Sequence, residues 1–105
     1  MDRELDITGN IRKIETLKSK LLGDVAGLYQ VLAEPTADVL NDRIADLLSD
    51  AVLTSYLLAR RLGLSYQAID ARLGNKIRAG MLESREEGWE PADLAELSRQ
   101  LSRKK

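Results

Sequence analysis

The sequence predicts an all-α protein: an antiparallel helical bundle of two long helices, a third helix and a short C-terminal helix. Three observations carry this. Apolar residues recur at three- and four-residue spacing, and no stretch alternates over the length of a strand. Capping residues, glycines and prolines punctuate four helical segments. Phenylalanine is absent and there is one tryptophan, so the core must be built from Leu, Ile, Val and Ala.

The central segment, Asp38 to Leu62, organises the rest. Thr36 is placed to cap its start. Gly63 can end it in the left-handed conformation, and Arg60 and Arg61 suit the negative end of the helix dipole. Leu40, Ile44, Leu47, Leu48, Ala51, Leu58 and Leu62 form its apolar stripe. The other face carries Asp38, Asp42, Asp46 and Asp50 at i+4 steps. Like charges so spaced repel by about 0.2–0.5 kcal/mol per pair. Beyond Asp50 that face turns apolar, with Leu53 and Leu57, which implies burial on more than one side. Two readings of the aspartates stay open: a solvated acidic face, or carboxylates held near a covered surface by a partner such as a divalent cation.

The segment before it reads as a helix from about Thr8 to Ala33, following a loose lead-in over Met1 to Leu5. Asp6 or Thr8 would cap it, a break is expected near Thr16–Ser19, and Pro35 ends it. Ile7, Ile11, Ile14, Leu21, Val25, Leu28 and Leu32 lie on a near-heptad seam, widened by Leu17, Leu22 and Tyr29. Gly23 and Gly27, one turn apart, leave a smooth patch for close helix packing or a ligand. Asp24 is expected beside them on the helix surface. After a Gly63-Leu64-Ser65 turn, a third helix runs from about Tyr66 to Ala79, capped by Ser65 and ended by Gly80. Ala68, Ile69, Leu73 and Ile77 form its stripe. A polar loop, Glu83 to Gly88, precedes Trp89. Pro91 opens the last helix, roughly Ala92 to Ser102, whose buried side is Leu94, Leu97 and Leu101. Trp89 is expected to anchor that helix.

Composition narrows the function. A chain of 105 residues is one domain, residues 1–105. Its modest core favours association, most simply a homodimer. The net charge of −1 gives no electrostatic footprint for DNA or RNA, and the basic run Arg103-Lys104-Lys105 reads as a solvated tail. There is no cysteine and no histidine, so thiol chemistry and the commonest general base are excluded. The absence of cysteine fits a cytoplasmic protein. No apolar run is long enough to span a membrane, and MDRELDITGN has no signal-peptide core. Phosphate-binding glycine loops, zinc spacings and nucleophile–histidine pairs are missing too. What remains is acidic residues on two long helices, which suits Mg²⁺ held by carboxylates and clamping a polyphosphate.

Three stretches carry a resemblance: DITGNIRKIETLKSKLLGDVAGLYQVL, DRIADLLSDAVLTSYLLARRLGLSYQAIDARLGNKIRAG, and the Trp89 segment. Together they resemble the small MazG-like proteins, which are related to the all-α nucleoside triphosphate pyrophosphohydrolases. The likeness covers nearly the whole chain, and LLARRLGLSYQAID is especially similar. It implies a Mg²⁺-dependent cleavage between the α and β phosphates of a nucleotide. Active relatives hold metal with Glu-x-x-Glu on one helix and Glu-x-x-Asp on the next. The first motif falls on Asp24-Val25-Ala26-Gly27 and the second on Arg43-Ile44-Ala45-Asp46. Asp24 and Asp46 match acids, while Gly27 and Arg43 do not. Asp50, one turn from Asp46, is the expected extra metal ligand, with Asp42 a further substitute. Arg43 would favour phosphate over metal. A nucleotide-contacting amide and basic pair falls on Asn75 and Lys76, in swapped order. Three functions follow: a Mg²⁺-dependent pyrophosphohydrolase, a degenerate relative that still binds nucleotide, or a non-catalytic helical oligomerisation or partner-binding protein.

Overall fold

The computed structural model describes residues 3–33, 40–83 and 87–103. Four helices follow in order: α1 (Arg3–Ala33), α2 (Leu40–Arg61), α3 (Tyr66–Leu82) and α4 (Pro91–Arg103). The described residues hold no strand. The all-α expectation therefore holds. Thr36, Pro35, Asp38, the loop residues 84–86 and Lys104-Lys105 lie outside the described residues, as do the side chains of Asp6, Ile7 and Leu40.

The chain forms two compact units, Met1–Tyr66 and Gln67–Lys105. In the first, α1 and α2 pack as a helical hairpin. The expected lead-in and the expected break both give way to one continuous helix from Arg3. Packing along α2 outweighs the weak propensity around Thr16–Ser19, and Lys18 pairs with Glu15 at 2.8 Å across that stretch.

The inward row of α1 differs from the expected seam. Asn10, Ile14, Leu17, Leu21, Asp24, Leu28 and Val31 turn inward, while Ile11, Val25 and Leu32 are exposed. Ile14, Leu17, Leu21 and Leu28 of the expected seam are inward as read, while Asn10, Asp24 and Val31 take the places expected for Ile11, Val25 and Leu32, one position earlier. On α2 the inward row is Ile44, Leu47, Ala51, Thr54, Leu58 and Ala59, with Leu48 and Leu62 exposed. Thr54 is the most buried of the described residues, at 2 % exposure.

The end of α2 near Gly63 is tied twice. Gly63 has φ 93°. The Gly63 N–H donates to the Arg60 carbonyl at 3.1 Å, and the Leu64 N–H donates to the Ala59 carbonyl at 2.9 Å. This paired pattern is the Schellman motif. The Asn10 side-chain amide adds a bond of 2.8 Å to the Arg61 carbonyl, one of the carbonyls a helix end leaves without an intrahelical donor.

In the second unit, α3 runs past Gly80 to Leu82. Gly80 does not end the helix. It is buried, and Leu94 of α4 fills the space a side chain there would need, with Trp89 Cε3 beside it. Pro91 opens α4 as expected. Trp89 remains 42 % exposed, so it covers one side of this contact without being enclosed.

Gly63→Ala should lower stability by about 1 kcal/mol, because alanine is strained at that φ. Gly23→Ala, in a helix interior with nothing within 4 Å of a new methyl, should raise it by about 0.5–1 kcal/mol. Urea unfolding followed by circular dichroism reads both signs.

Candidate functional site

The two flanks of the α1–α2 hairpin differ in chemistry. In an antiparallel pair, residues one position before each inward residue share one face, and those one position after share the other. The first face carries Lys13, Thr16 and Lys20 from α1, with Asp46, Asp50, Leu53 and Leu57 from α2; Leu53 and Leu57, expected to be covered, are both exposed in the single chain. The second carries Leu22, Val25, Tyr29 and Leu32 from α1, with Leu48 and Val52 from α2. All six of the second set are exposed, Leu22 to 71 % and Tyr29 to 74 %.

The aspartate ladder of α2 explains itself in helical geometry. Each i+4 step rotates by about 40°, since 3.6 residues make a turn. The row therefore winds from solvent into the interior. Asp42 and Asp46 are exposed, Asp50 is half-buried and Thr54, the next step, is enclosed. Asp46 makes no ion pair with any described residue.

Asp24 is not on the surface. It is 7 % exposed, because position 24 belongs to the heptad row that meets α2. Lys20, one turn earlier, reaches it: Nζ lies 3.7 Å from Asp24 Oδ1 and 3.8 Å from Asp50 Oδ2. Both distances exceed a direct hydrogen bond, so these are electrostatic contacts. Asp24 Oδ2 is buried with no hydrogen-bond partner.

Of the residues expected to bind metal, Asp24 and Asp50 thus come together around Lys20. Asp46 stays outside that group. Gly27, where the resemblance led to the expectation of an acid, faces Leu47, whose Cδ2 would lie 3.1 Å from an added methyl. Among the described residues, no group of three His, Cys, Asp or Glu side chains could hold a metal ion. Mg²⁺ needs oxygen ligands and open room for its waters. Two carboxylates that already share an ammonium do not fit it as they stand. Of the expected phosphate contacts, Arg43 is exposed on α2. Asn75 and Lys76 are exposed on α3 in the other unit, where Asn75 Oδ1 accepts a hydrogen bond from Arg78.

A second feature lies further along the charged face. A cavity of about 280 Å³ is lined by Lys13 and Thr16 of α1, Arg60 and Arg61 of α2, and Tyr66, over the apolar side chains of Leu17 and Leu57. Three cations and no acid line it. Arg60 stacks over the Tyr66 ring, 5.8 Å from its centre, and Tyr56 meets the same ring edge-on at 6.3 Å. Sequence reading noticed Arg60 and Arg61 only as dipole partners. Lys13 and Tyr66 drew no notice, because 53 positions separate them in the chain.

The MazG-like family profile matches residues 7–94, well over half of the sequence. This chain belongs to the MazG-like family. No curated protein and no solved structure matches it. The family match agrees with the four helices and spans both units of this MazG-like chain. No helix among the described residues is long and apolar enough to cross a membrane.

Asp46→Asn should leave stability within about 0.5 kcal/mol of the parent, and a slight gain fits the loss of a like charge from the ladder. A denaturant midpoint shifted strongly downward would show that Asp46 has a structural partner.

Proposed function

We infer that this MazG-like chain binds a nucleotide without hydrolysing it. The observation that supports this is the cavity walled by Lys13, Arg60 and Arg61 with Tyr66 at its side. Three clustered cations suit phosphate oxygens, and arginine forks suit them bidentately. The Tyr66 ring offers a flat apolar surface for a base. Metal-assisted hydrolysis is left out of this reading because the acids that remain, Asp24 and Asp50, are joined by Lys20 rather than set apart for an ion.

The protein works, in this reading, as a homodimer joined by its apolar flank. Among the described residues only Ala59 and Ile77 are buried apolar side chains, a small core for the 105-residue chain. Leu22, Val25, Tyr29, Leu32, Leu48 and Val52 form one continuous apolar face on α1 and α2. Contiguous exposure of that kind marks an association surface. A second copy is the occupant that completes the core symmetrically, since one self-complementary patch serves both chains.

Titration calorimetry with ATP in metal-free buffer should show binding that weakens with salt. Lys13→Ala and Arg61→Ala should each weaken it about tenfold, the effect of one lost charge-assisted hydrogen bond. A pyrophosphate-release assay with Mg²⁺ should show no turnover. Rapid pyrophosphate release, or equal binding by the variants, would overturn the reading.

Light scattering should give twice the chain mass of 11.7 kDa. Val52→Glu should return it to a single chain, since a charge in an apolar contact is costly.

A further inference from the structure

We propose that the Lys20 ammonium is this chain's own resident cation, standing between Asp24 and Asp50 in the place a metal ion would need there. Asp24 and Asp50 come from different helices and converge on one point. Such convergence of two carboxylates creates a place for positive charge. Here Nζ of Lys20 occupies it, at 3.7 Å from one carboxylate and 3.8 Å from the other.

The burial of Asp24 makes a cation necessary. Its side chain is 9 % exposed, and one of its oxygens has no hydrogen-bond donor at all. A carboxylate so placed is costly to keep charged unless a positive group stands close. Lysine at i and aspartate at i+4 lie on the same helical face, so α1 itself supplies the group. Lysine also suits the task chemically: it is a compact point charge on a flexible stem, with half of its side chain in solvent. An arginine would demand a planar fork of acceptors.

The neighbouring positions agree with this arrangement. Where an acid would stand in a relative, Gly27 contributes no ligand, and Leu47 packs into the space beside it. Position 27 offers no ligand, and the chain carries a positive charge one turn before Asp24. A divalent ion entering this point would have to expel Lys20 and then bind two carboxylates across the residual repulsion. Lys20 is a positioning and charge-balancing residue, with no contact to substrate in this proposal.

The test is thermal unfolding of the full chain with and without millimolar Mg²⁺ or Mn²⁺, against matched monovalent salt. The wild type should show the same midpoint in each. Lys20→Met, which keeps length but removes charge, should lower the midpoint by several degrees in metal-free buffer, and divalent ions should restore it. Asp24→Asn in the Lys20→Met background should recover the midpoint without metal and abolish the response to ions. A midpoint of the wild type that rises with divalent ions would overturn the proposal. So would a Lys20→Met protein as stable as the parent. If Lys20→Met does not fold alone, the double variant still decides: it must fold, at close to the wild-type midpoint, because the unbalanced charge is gone. A double variant that stays unfolded refutes the proposal.

Discussion

The structure of the hairpin depends on one constraint: a charged side chain, Asp24, occupies a position in the row of α1 that meets α2. The rest of that row is mostly apolar, and its mate on α2 includes Thr54, the most enclosed of the described residues. A charge inside a helix seam is costly unless an opposite charge stands near, and α1 supplies that charge itself through Lys20, one turn earlier. Lys20 then reaches Asp50 across the seam, so the contact that ties the two helices runs through the lysine. At the far end, Asn10 bonds the last turn of α2 and ties the pair a second time.

The helices were legible in the sequence because periodicity and punctuation are local signals. Pro91 opens α4 and Gly63 closes α2 for reasons visible in a dozen residues. What was illegible was rotation. An apolar reading of α1 found Ile14, Leu21 and Leu28, which do turn inward, but chose Ile11, Val25 and Leu32 where packing turns Asn10, Asp24 and Val31 inward. Gly80 misled for a related reason. A glycine near a helix end looks like a terminator, but this one makes room for Leu94, which lies on the next helix and is invisible to local rules.

The site was legible in part. Asp24 stood out through its family position, and Asp50 through the ladder, yet the residue joining them did not. Lys20 sits at i−4 from Asp24, a spacing that any helix makes meaningful, but its second partner lies on another helix. Lys13 and Tyr66 pose the same difficulty at larger scale: their shared cavity exists only once α1 and α2 are folded against each other. The cavity and most of the charge lie on one flank, beside the exposed Leu53 and Leu57, and the other flank carries Leu22, Val25, Tyr29, Leu32, Leu48 and Val52.

The contact between Gly27 and Leu47 bears on how such a chain could be changed back. An open helix surface would accept a new acid by one substitution. At position 27 a neighbour's methyl groups stand close instead, so a glutamate placed there would meet Leu47, and Lys20 would still sit between Asp24 and Asp50. Building a metal centre into this hairpin would therefore have to deal first with the Lys20 charge, and any added ligand at position 27 would have to share space with Leu47.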